Sequence, residues 1–63
     1  MIDMPHQADL AYANSRGVGQ FHIFDRNGIY ERMTWYSFNV AKACADRHGG
    51  NVVNMDGAIV YRS

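Results

Sequence analysis

Three short stretches of the chain share one pattern. Asn14-Ser15-Arg16-Gly17, Asp25-Arg26-Asn27-Gly28 and Asn54-Met55-Asp56-Gly57 each read Asn or Asp, two variable residues, then Gly. An Asn or Asp side chain at the first position caps a type I turn, and a glycine at the fourth takes the left-handed conformation that closes a hairpin with a bulge. Each repeat is flanked by short β-type runs, and the first two glycines stand eleven residues apart, as in a meander. The pattern therefore predicts strands at Asp9–Ala13, Val18–Phe24, Ile29–Met33, Val52–Val53 and Ala58–Tyr61.

Between the third and fourth of these strands the hydrophobic period changes from two to that of a helix. Thr34 as N-cap predicts a helix from Trp35 to about His48, with Met33 and Phe38 as a hydrophobic staple. Ser37 is the alternative cap and shortens the helix by one turn. Phe38, Ala41, Cys44, Ala45 and His48 share one face, and Gly49-Gly50 ends the element. At the other end of the chain Pro5 interrupts any strand, so Pro5–Ala13 has a second reading as a short helix ended by Asn14-Ser15, or a loose arm. The strand reading gives a single α+β domain over residues 1–63, ordered βββαββ, with residues 1–8 as an N-terminal arm. Its one long helix lies on one face of an antiparallel sheet.

Register sorts the side chains. If Asp25 faces Ile29, then Phe24 pairs with Tyr30, Ile23 with Glu31, His22 with Arg32 and Phe21 with Met33. One face carries Phe21, Ile23, Ile29 and Met33, and the helix docks there. The other carries Leu10, Tyr12, His22, Phe24, Tyr30 and Arg32, which become the expected protein interface. A lone helix cannot cover both sides of a sheet, and exposed apolar patches of more than a few hundred Å² usually mark contact surfaces. A second copy closing over this face predicts a homodimer. The plainer alternative has the N-terminal arm folding over it to complete the core.

Composition narrows the function classes. Six Lys plus Arg balance six Asp plus Glu, so the strongly basic nucleic-acid binder and the acidic mimic are both disfavoured. A single cysteine makes no internal disulfide. No apolar run spans a membrane and no leader stands at the start, which suits a cytoplasmic protein with no membrane partner. Cys44 and His48 have metal-ligand spacing and His22 or His6 offers a third donor, but no CxxC or HxxxH accompanies the pair, so neither metal nor cofactor is expected. A Cys-His nucleophile needs an exposed thiol, and Cys44 lies on the core stripe, so no enzyme is expected. Gly17-Val18-Gly19 precedes a strand and not a helix, unlike a phosphate loop.

In form, a chain of this length with a meander, one helix and a closing hairpin resembles the small accessory proteins of bacteriophages, among them anti-CRISPR and host-takeover inhibitors. That resemblance covers the whole chain as architecture. It implies a non-enzymatic inhibitor or adaptor that binds a larger host protein in the host cytoplasm. The runner-up from the residues is a single-stranded nucleic-acid module stacking bases on Phe24, Tyr30 and His22 beside Arg32.

Overall fold

The turns at Asp25 and Asn54 are built alike. In the computed structural model, which describes residues 4–16 and 19–63, Asp25 Oδ1 accepts from the amides of Asn27 and Ile29, both at 2.9 Å. Asn54 Oδ1 accepts from Asp56 and Ala58 at 3.0 and 2.9 Å. Each turn is closed by a pair of main-chain bonds, and Gly28 and Gly57 sit at φ 86° and 90°, where a β-carbon is strained. Two of the three repeats are thus hairpins.

The third is not. Residues 7–15 form a helix, α1 (Gln7–Ser15), with Asn14 and Ser15 in its last turn, and Gly17 and Val18 lie outside the described residues. The expected first strand is therefore corrected to the helical alternative. The order is α1, β1 (Phe21–Phe24), β2 (Tyr30–Trp35), α2 (Phe38–His48), β3 (Asn51–Val53) and β4 (Ile59–Arg62). The class is α+β, with two helices on an open four-stranded antiparallel sheet in spatial order β2-β1-β3-β4. β2 and β3 are both antiparallel to β1 and lie on either side of it, so α2 carries the chain across β1 from one to the other.

The register of the first hairpin also departs from expectation. Phe24 pairs with Tyr30, but a bulge then shifts the ladder, so Ile23 meets Met33, His22 meets Thr34 and Phe21 meets Trp35. Glu31 and Arg32 occupy the bulge, and Arg32 stands at φ 63°, in the left-handed region. A bulge with no glycine leaves no local mark in the sequence. The extra residues extend β2 to Trp35, which takes Thr34 away from the helix end. Ser37 is the N-cap of α2, its Oγ accepting from Val40 N at 3.4 Å, and Gly49 ends the helix at φ 75°.

Each face of the sheet has a helix. On one, Ile23 and Val52 pack against Ala41 and Ala45 of α2, with Phe21, Met33, Cys44 and Tyr61 around them. The two alanines let the helix approach closely, as their spacing implies. On the other, Ala13 and Leu10 of α1 cover Phe24, Tyr30, Val53 and Ile59. Phe38, expected in the core, stands at the rim, 36% exposed and edge-on to Phe21 and Tyr61.

Candidate functional site

The residues expected to form an open interface divide under α1. His22, Phe24 and Tyr30 are 1%, 0% and 6% exposed, so their face is closed within the chain. Leu10 lies on α1 and packs onto that cluster from above. Tyr12 and Arg32 are exposed, and the Arg32 guanidinium lies 5.8 Å from the centre of the Tyr12 ring. The structure thus brings all six residues to one side of the sheet but leaves only two of them on the surface. A homodimer closing through Phe24 and Tyr30 has no face to use while α1 is docked.

His22 explains why α1 docks. Its Nε2 lies 2.7 Å from Asn14 Oδ1 and its Nδ1 2.8 Å from Thr34 Oγ1, which in turn meets the Tyr30 hydroxyl. Asn14 spends its Nδ2 on the Met55 carbonyl at 2.9 Å, so its Oδ1 must accept and His22 must donate from Nε2. Nδ1 then accepts from Thr34. Direction is fixed along the chain from Tyr30 to Met55, and it requires the neutral imidazole. Burial pushes the His22 pKa below its usual 6.5, which favours the same form. This cluster is a clasp between helix and sheet.

Two concavities on the outside are lined by described residues. One, of about 210 Å³, lies between α1 and the β2 bulge and is lined by Asp9, Tyr12, Ile29, Tyr30 and Arg32. The other, of about 200 Å³, lies between α2 and the end of the edge strand β2, lined by Trp35, Val40, Ala43, Cys44 and Arg47. In the second groove Trp35 and Val40 are 38% and 46% exposed, and Tyr36, the next residue after Trp35, is 74% exposed. Cys44 contributes one wall and places its Sγ 3.5 Å from Met33 Sδ. At the opposite edge of the sheet, on β4, Tyr61 donates to Asp46 Oδ1 at 2.6 Å, and that carboxylate raises the tyrosine pKa above its usual 10.0.

The groove was hidden in the sequence by the position of one residue. With Trp35 assigned to the first turn of the helix, Arg47 falls on its polar side with Asn39, Lys42 and Asp46, and Val40 and Ala43 have no assigned neighbour. With Trp35 at the end of a strand, Val40, Ala43 and Arg47 form a second helical stripe at spacings of three and four, facing it. Exposed Trp and Tyr directly before a helix cap were the available signal.

Among the described residues no three or more His, Cys, Asp or Glu side chains gather as a metal site, and no helix is long and apolar enough to cross a membrane. The fold and its two grooves define a small α+β domain with a helix on each sheet face. Compared with protein-family models, with curated proteins and with solved structures, the chain gives no match.

Proposed function

We propose that the chain is a non-enzymatic protein-binding module of the small inhibitor or adaptor kind, and that its partner docks in the groove between α2 and Trp35. The observation that carries this reading is the exposure of Trp35 and Val40 in one groove, with Arg47 at its wall and the exposed Tyr36 next in the chain. Trp, Tyr and Arg are the types that dominate binding energy at protein interfaces, and the indole here is half seated in a groove that a partner side chain can complete. Among the described residues Arg47 is the one charged group lining it. The matching partner surface presents a large apolar side chain next to a carboxylate. The nucleic-acid reading through stacked sheet aromatics is weaker, because His22, Phe24 and Tyr30 are buried.

Trp35 is the only tryptophan in the chain, so its emission reports directly on this groove. A partner isolated from host extract on the immobilised protein should shift that emission on binding. It should be lost on Trp35→Ala or Arg47→Glu and kept on Tyr12→Ala, with an affinity that changes little with salt. A partner retained by both groove variants but released by Tyr12→Ala overturns the reading.

A further inference from the structure

The pocket on the opposite side of β2 has the chemistry of a ligand site and is independent of the Trp35 groove. Four of its five lining residues are tied to one another. Asp9 Oδ2 accepts from the main-chain amide of Tyr30 at 2.9 Å, which pins α1 to the start of β2. The Tyr12 ring stands edge-on to Tyr30 with centres 6.0 Å apart. Arg32 reaches Tyr12 from the bulge, where its own backbone sits at φ 63°. A non-glycine residue in that region costs about 1 kcal/mol or more, and such positions gather at ligand sites. Arg16 approaches the same ring, its guanidinium 6.0 Å from the centre and its Nη1 3.4 Å from the Tyr12 hydroxyl.

Neither arginine has a carboxylate partner among the described residues. Two guanidinium groups therefore flank one exposed tyrosine with most of their donors unused. Asp9 lines the same pocket and makes no hydrogen bond besides that from Tyr30 among the described residues. A bare anion suits the arginines but is repelled by Asp9. A cation suits Asp9 but is repelled by the arginines. A ligand that joins a phosphate to hydroxyl donors satisfies both, since guanidinium forks hold phosphate and a carboxylate accepts from paired sugar hydroxyls. The two tyrosine rings and Ile29 supply apolar wall for a sugar carbon face.

We propose that this pocket binds a ribose phosphate, with Arg32 on the phosphate and Asp9 on the ribose hydroxyls. The source is either a free nucleotide or a nucleotide of a single-stranded RNA.

The test is an NMR titration of the full chain with ribose 5-phosphate, deoxyribose 5-phosphate and inorganic phosphate, following the Arg Nε–H and backbone signals. Ribose 5-phosphate should shift Arg32, Tyr12 and Asp9 and bind more tightly than the other two. Arg32→Gly should keep the fold, because glycine accepts the bulge conformation, and weaken binding by about tenfold or more, as expected for a lost charge-assisted hydrogen bond. Asp9→Asn keeps an oxygen for the Tyr30 amide but loses the charge. It should weaken ribose 5-phosphate and strengthen inorganic phosphate. Displacement by uridine monophosphate assigns the site to free nucleotides, and displacement only by a single-stranded oligouridylate assigns it to RNA. A wild type whose Arg32 does not respond, an Arg32→Gly variant that binds as well, or an Asp9→Asn variant with unchanged preference overturns the proposal.

Discussion

The two faces of the sheet are closed by different physics. The α2 face is apolar throughout its buried part, with Ile23 and Val52 against two alanines, and its helix carries a serine cap and a glycine stop. The α1 face has Phe24, Tyr30 and Val53 below, but its helix offers only Ala13 and Leu10 to them. What the short helix lacks in apolar area it makes up in directed polar contacts: Asn14 to His22 and Met55, and Asp9 to the Tyr30 amide. Burial alone tolerates small shifts, whereas a hydrogen-bonded clasp does not, so α1 should dock in one register or not at all.

The largest effect should come from the floor of the α1 face. Phe24 is fully buried, and Phe24→Ala should cost about 3–5 kcal/mol, most of the stability available to a chain this short. Phe38, at the rim of the other face, should cost only about 1 kcal/mol on the same truncation. Urea denaturation of both variants measures the difference. Equal losses would mean that the rim of α2 matters as much as the centre of the sheet.

Next comes the clasp itself. Asn14→Ala removes the acceptor for His22 Nε2 and strands a buried donor, at a cost of about 1–3 kcal/mol. The loss should be local. Hydrogen exchange should quicken across 7–15 while the amides of Ala41 and Ala45 keep their protection. Uniform loss over both helices would show that the two faces unfold as one unit.

His22 makes this comparison sensitive to pH. Its pKa in the folded chain is lowered, so below the unfolded value of 6.5 the unfolded state binds a proton that the folded state does not. Stability is therefore complete above pH 6.5 and falls as pH drops below it toward the folded pKa. Thermal melts between that pH and the onset of carboxylate titration at about 4–5 should show the decline. His22→Gln should flatten it. A wild-type curve that is level through this window would mean that the clasp tolerates the imidazolium.

Much of one face was legible in the sequence and little of the other. The Asp25 and Asn54 turns follow from one side-chain oxygen placed before a glycine, a purely local arrangement. The α2 stripe of Ala41 and Ala45 repeats at helical spacing and ends in two glycines. Asn14-x-x-Gly17 has the same letters as the true turns, yet Asn14 uses its amide on residues far along the chain, which no local rule reveals. The segment before it is ambiguous for a related reason. Leu10 and Tyr12 alternate as a strand would, while Leu10 and Ala13 stand three apart as a helix needs, and only the uncovered Phe24 and Tyr30 decide between them. Alternation groups the six expected interface residues on one side of the sheet, as the structure does, but α1 covers His22, Phe24 and Tyr30 and leaves Tyr12 and Arg32 exposed.

The smallest effects concern how the two helices begin. Ser37 caps α2 through a long bond to Val40 N, 3.4 Å, whereas His6 at the same position of α1 makes no side-chain cap at all. Ser37→Ala should therefore cost near the lower end of the usual capping range, about 0.5 kcal/mol. His6→Asp should do the opposite. An aspartate there can accept from the free amides of the first turn and faces the positive end of the helix, for a gain of about 0.5–1 kcal/mol. The His6 main-chain bonds to Gly28 and Leu10 do not involve the side chain and should survive the change. Chemical denaturation gives the sum, and hydrogen exchange of 7–15 shows whether the gain lies in α1. If His6→Asp protects those amides and also restores those of Asn14→Ala, intrinsic helix stability and the clasp are interchangeable supports. If it protects them only when Asn14 is present, the clasp decides whether α1 forms, and the cap merely tightens a helix that tertiary contacts have already placed.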